Sequence, residues 1–224
     1  MKKLLRKLGL LAFTYGLSAA AVRFAKSGLP QVKVSDLRPT QSSAGMLEVE
    51  EKKERIQALA PKELEKYLEK HPIPVVLGPK EKYYMIDHHH LALALNNLGK
   101  DHVYVDIVKD FSSSASKEDF WQKMEKHGYV YLRDENEKKI TPSDLPEKID
   151  EIKDDPYRSL AGAVRDAGGF TKSRTPFAEF TWAHFFKTHI EFKNTKKGLT
   201  TVLGDAIKLA HSKDAKDLPG YIGG

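Results

Sequence analysis

The stretch Tyr83-Tyr84-Met85-Ile86-Asp87-His88-His89-His90-Leu91-Ala92-Leu93-Ala94-Leu95 decides how the chain is read. Tyr83 to Ile86 is aromatic and apolar and predicts a buried strand. Leu91 to Leu98 is a run of good helix formers closed by Gly99, and it predicts a helix. Asp87 and three histidines therefore fall where a strand feeds a helix, with Asp87 a candidate N-cap. The first N–H groups of a helix lack intrahelical acceptors, so this junction suits an anion such as a phosphate. Imidazoles there can add donors, move protons or bind a metal. The plainer alternative is a solvated turn.

Working outward, His71 to Pro79 predicts a proline-edged strand, with Pro72 and Pro74 suited only to its start or to a sheet edge. Gly78 to Lys82 is a turn, so Tyr83 to Ile86 returns as its hairpin partner. Beyond the histidines, Gly99-Lys100-Asp101 leads into another strand, His102 to Val108. Strand, strand, helix and strand in close succession make a compact α/β core. Upstream, Gln31-Val32-Lys33-Val34 alternates and predicts a short strand. It leads into Ser35 to Gln41, a polar turn stiffened by Pro39, and then the flexible Ser42-Ser43-Ala44-Gly45. Arg38 in that turn is either a phosphate or carboxylate ligand, since its fork binds two oxygens, or a surface arginine paired with an acid.

Helices are predicted over Glu48 to Leu59 and Lys62 to Lys70, their charges a solvated face. Ser116 caps a helix over Lys117 to Lys126, with Phe120, Trp121 and Met124 as its buried stripe. Tyr129 to Leu132 is strand-like, and Ser143 to Glu147 is a good helix start. Asp154-Asp155-Pro156 opens a helix through Arg165 that carries Arg158 and Arg165 on one face. The aromatic segment from Thr175, with Phe177, Phe180, Trp182, Phe185 and Phe186, is read as core. One more helix runs from Leu199 to Ala210, and the end from Asp217 reads as mobile.

The 224 residues suffice for one large domain or one domain with a helical extension. The absence of cysteine excludes disulfides, thiolate metal sites and cysteine nucleophiles. Of 37 basic and 31 acidic residues, seven basic and no acidic ones precede Asp36, leaving 30 against 31 in the body. The body is near neutral, so broad electrostatic binding of nucleic acid is not supported, although a local groove would override that. The first 28 residues combine a basic start, an apolar run from Leu8 to Val22 and the small residues Ser18 to Ala21. They read as a signal peptide or membrane anchor, so an exported or membrane-associated protein is expected. A presequence or a plain helix remain the alternatives.

Ile86 to Leu95 resembles the phosphate-binding signature of the ParB/sulfiredoxin superfamily, in which a strand ends in an Asp-Gly-His-His-Arg type of turn before an Ala-rich helix. Leu37-Arg38-Pro39-Thr40-Gln41 is similar to that group's first box. Asp155 to Gly162 and Thr175 to Phe180 resemble further segments of its ParB-like nuclease branch, so the likeness spans about residues 30 to 190. It implies an α/β (α+β) fold, a small mixed-sheet core with a C-terminal helical extension. The core would take residues 29–111 and the mostly helical extension packed on it 112–192. A C-terminal helix and mobile tail would take 193–224. It further implies catalytic roles for Asp87, His88, His89 and His90, and ligand or phosphate contacts for Arg38, Gln41, Leu91, Arg158 and Glu179. The implied cofactors are Mg²⁺ or Mn²⁺, held by Asp87, and a nucleotide such as ATP, ADP or CTP. Here His88 stands where the family carries Gly, and His90 where it carries Arg. Sulfiredoxin chemistry is excluded by the missing cysteine, and no helix-turn-helix signal supports chromosome partitioning.

Three functions follow as expectations. One is nuclease-like hydrolysis or nucleotide-dependent phosphoryl transfer, with a free-serine type of small-molecule kinase as a variant. Another is an exported module that binds a phosphorylated ligand without turnover. The last is a metal site built from the histidines. The partner in the first two is a phosphate-bearing small molecule or nucleotide, and the oligomeric state is left open.

Overall fold

The computed structural model describes residues 23, 24 and 28–223. The leader expected over residues 1–28 lies almost entirely outside them. No helix of the described residues is long and apolar enough to cross a membrane.

The architecture is the mixed α/β fold expected. Among the described residues the eight strands are β1 (Arg23–Phe24), β2 (Pro30–Lys33), β3 (Leu37–Arg38), β4 (Ser43–Ala44), β5 (Ile73–Gly78), β6 (Lys82–Met85), β7 (His102–Asp110) and β8 (Lys153–Asp154). Seven α-helices occur among the described residues: α1 (Met46–Gln57), α2 (Pro61–Lys70), α3 (His89–Asn97), α4 (Lys117–Lys126), α5 (Pro156–Asp166), α6 (Ala178–Lys187) and α7 (Lys196–Ala210). Six strands form one sheet in the order β1-β2-β7-β5-β6-β3, while β4 and β8 pair separately and parallel. The hairpin runs from Gly78↔Lys82 to Val75↔Met85, and β7 lies parallel to β5 on its other side.

Alternation along the strands sorts the side chains onto two faces. Ile73, Val75 and Met85 meet Leu91, Leu93 and Leu95 of α3 on one face. Val76 and Tyr84 meet Phe120, Trp121 and Met124 of α4 on the other. From His89 to Leu95 every residue of α3 is buried, as expected of a helix sandwiched between a sheet and α1. A second apolar cluster gathers α5, α6 and α7 around Leu160, Trp182 and Phe186.

Four local expectations change. Ser42 to Gly45 is not a flexible loop. It is fully buried, and the Ser42 and Ala44 carbonyls accept the Lys153 and Asp155 N–H groups at 2.9 Å. Tyr129 to Leu132 makes no strand; its Tyr129 N–H donates to the Met124 carbonyl at 2.9 Å and its Tyr131 N–H to the Thr40 carbonyl at 2.8 Å. Ser143 starts only a 3-10 turn, Pro142–Asp144, because Pro146 has no N–H with which to continue a helix. The end of the chain is docked: Trp182 Nε1 donates to the Pro219 carbonyl at 2.8 Å, and Thr171 N–H to the Gly220 carbonyl at 2.8 Å.

Candidate functional site

The strand-to-helix junction turns on His88, which sits in the left-handed region at φ 62° and is itself the N-cap of α3. Asp87 is therefore not the cap. Its Oδ1 instead accepts the His88 N–H at 2.6 Å, which holds the turn. The left-handed geometry explains why a glycine suits this place in the family's pattern. The first intrahelical bond runs from Ala92 N–H to the His88 carbonyl, so the N–H groups of His89, His90 and Leu91 lie ahead of the helical ladder.

The three imidazoles part company. His89 is buried, and its Nε2 accepts the Thr40 N–H at 3.4 Å. His90 is buried beside it, and its Nε2 accepts the Gly45 N–H at 3.2 Å. With both Nε2 atoms accepting, the network assigns the ring proton to Nδ1, and that of His90 points to Glu48 Oε1 at 3.4 Å. Burial pulls both rings down to a pKa of about 3, so they are neutral at pH 7. These two histidines thus pin the segment Thr40 to Gly45 onto α3. His88 is only half-buried; burial lowers its pKa too, while the Asp87 charge pulls the other way.

A cleft of ≈510 Å³ opens between this junction and the helical part of the chain. Gln41, Glu48, Asp87, His88 and His90 line it from the core, and Arg158, Arg165, Lys172 and Glu179 from the other side. Helix α6 also begins here, from Phe177 in the left-handed region at φ 58°, so two helix N-termini face one space.

Arg158 is the group that most needs a partner. It is buried, its guanidinium lies 4.6 Å over the Phe180 ring, and its Nε and Nη1 have no acceptor among the described residues. Burial draws its pKa down, opposed by the charges of Glu179, Glu48 and Asp155. Arg165, by contrast, is satisfied, with Nη1 donating to Glu179 Oε1 at 2.7 Å. Burial raises the pKa of Glu179, but Arg158 and Arg165 outweigh it and the net shift is downward. Burial holds the Glu48 carboxyl above its usual range.

Of the residues singled out from sequence, Asp87, His88, His90, Gln41, Arg158 and Glu179 come together. His89 lies behind the wall. Leu91 is 2% exposed in the apolar core, so only its backbone N–H can serve a ligand. Arg38 is not in this cleft; its Nη1 donates to the Glu147 carbonyl, and it lines a different hollow. The sequence reading missed Glu48 and Lys52, whose charges were assigned to a solvated face, and Lys172. The helical spacing of Arg158 and Arg165 was visible, and both do reach the cleft.

No three His, Cys, Asp or Glu side chains among the described residues gather to hold a metal. The histidines cannot share one ion, since His89 and His90 spend their Nε2 lone pairs on separate backbone groups. Asp87 is the exposed carboxylate that could contact an ion carried in on a phosphate.

Residues 30–188 match the family described as "Putative ParB-like nuclease". Among solved structures, protein Atu1540 from Agrobacterium tumefaciens is 39% identical, with a TM-score of 0.80 over 88% of this chain and 97% of that one. No curated protein matches.

Proposed function

The chain belongs to the ParB-like nuclease family, and from that premise we propose that its cleft binds the phosphate of a small molecule or nucleotide. The observation that carries this is Arg158, a buried cation with two N–H donors lacking an acceptor, facing the start of α3. Leaving a buried donor unpaired costs about 1–3 kcal/mol, and an oxyanion removes that cost. Arg158 would anchor the phosphate, with Lys52 and Lys172 at the rim and the first N–H groups of α3 beside it.

For turnover by hydrolysis or phosphoryl transfer, His88 is the imidazole suited to move a proton, oriented by the Asp87 turn. Held neutral by burial, it would accept a proton from an attacking hydroxyl or water. Mg²⁺ or Mn²⁺ would enter with a nucleotide and supply charge neutralisation on the phosphates, with Asp87 as the protein ligand. A binding role without turnover is the second reading. It is favoured by the commitment of His89 and His90 to backbone bonds and their neutrality, which remove them from acid–base work.

The test is a thermal-shift panel on the full chain with phosphate, ATP, ADP, CTP and a short oligonucleotide, with and without Mg²⁺ or Mn²⁺. A ligand at about 100 times its Kd stabilises by roughly 2.7 kcal/mol. Arg158→Gln should remove that shift, while His88→Ala should leave binding in place and abolish any turnover. If no phosphate compound shifts the wild type, the proposal fails.

A further inference from the structure

A second site lies on the opposite face of the sheet, where α4 packs. The indole Nε1 of Trp121, a residue 8% exposed, has no acceptor among the described residues, and neither does the buried Nε of Arg38. Both atoms belong to residues lining one hollow of ≈260 Å³. The Arg38 guanidinium is fixed by its bond from Nη1 to the Glu147 carbonyl, and Trp121 is fixed by the edge-on Tyr84 ring at 5.5 Å. Each N–H is thus immobilised and unable to turn toward another partner.

The chemistry of the walls is one-sided. Arg38, Trp121 and the two lysines that line it, Lys82 and Lys117, are donors with no accepting atom in their side chains. Neither lysine takes part in an ion pair among the described residues. Three cations face the single carboxylate of Glu147, and the rest of the wall is Trp121, Tyr84, Leu145 and three prolines, with Ser143 the other hydroxyl-bearing residue. Buried donors without acceptors beside an aromatic and proline surface call for an oxyanion carried on an apolar body. The hollow is near the lower end of ligand-pocket sizes, about 300 Å³, which suits one ring rather than a nucleotide. It shares no residue with the Arg158 cleft.

We propose that the hollow between Arg38 and Trp121 binds a small aromatic or apolar organic acid, its carboxylate or phosphate on the two unpaired N–H groups and its ring against the indole. The chain's own fluorescence reads this out. Trp182 is fully buried with its Nε1 already bonded to Pro219, so a ligand-dependent change reports Trp121.

The full chain would be titrated with benzoate, phenyl phosphate and, as the charge control, benzylamine. A saturable change with either acid and none with the amine is expected, and which acid binds more tightly separates carboxylate from phosphate. Trp121→Phe should abolish the change. Lys82→Glu and Lys117→Glu, at exposed positions outside the core, should weaken binding at least tenfold even if Arg38→Gln fails to fold. No saturable change with either acid, an equal change with benzylamine, or binding indifferent to both lysine variants would overturn the proposal. Arg158→Gln should leave these titrations unchanged, which keeps this site separate from the phosphate cleft.

Discussion

Replacing His90 with Gln should flatten the acid sensitivity of the fold. His90 is buried with its Nε2 accepting the Gly45 N–H, and its pKa is pulled by burial from 6.5 to about 3. Between those values the unfolded chain binds a proton that the folded chain refuses, so stability is lost as pH falls below 6.5. At pH 5 the deficit is 1.5 pKa units, or about 2 kcal/mol at 1.36 kcal/mol per unit, and His89 adds a similar amount. The raised carboxyls of Glu48 and Asp155 act in the opposite sense, and being present in both proteins they largely drop out of the difference. Glutamine places its amide oxygen near the Nε2 position, so the Gly45 bond survives while the titration is removed. Urea unfolding of both proteins at pH 7.5 and 5.0 gives the comparison. The wild type should lose about 2 kcal/mol more than the variant across that interval. Parallel losses would refute the assignment of a buried, neutral His90.

His88→Gly should keep the fold. Glycine accepts φ 62° without strain, which offsets its greater chain entropy, so stability should stay within about 1 kcal/mol by thermal melt. Hydrolysis of a phosphodiester probe such as bis(p-nitrophenyl) phosphate, where the wild type shows it, should disappear in the same variant. Gly45→Ala should destabilise, because a Cβ there would sit 2.5 Å from Ser159 N and Oγ. Overpacking against backbone costs about 1–3 kcal/mol, read as a lower Tm. Trp182→Phe should release the chain end by removing the bond to Pro219, seen as faster hydrogen exchange around residues 217–223.

What could be read from the sequence is what is local. The proline-edged apolar strand at Ile73–Gly78, the Ser116 cap that accepts the Asp119 N–H at 3.1 Å, and Gly99 at φ +62° all act within a few residues. The strand-to-helix turn was legible for the same reason, since its strand, histidines and helix are contiguous. Ser42 to Gly45 was misread because its burial depends on acceptors from His90, 45 residues away, and on β8, still further along the chain. Its composition, small and polar, is that of a loop. The docked tail rests on Trp182 and Thr171, and Arg38's true neighbour is Glu147, 109 residues off. Composition and periodicity carry no sign of pairings at that range.

The cleft is assembled from four widely separated pieces of chain: Gln41 to Lys52, Ile86 to His90, Gly128, and Arg158 to Phe180. Bringing His90 to Arg158 closes a loop of roughly 70 residues, an entropic cost met only after the sheet and the helical cluster have each formed. Occupancy should therefore be an all-or-none reporter of folding, absent from any partly folded species. A bound ligand should slow unfolding more than it speeds folding, because the contacts it strengthens are the last to form and the first to break.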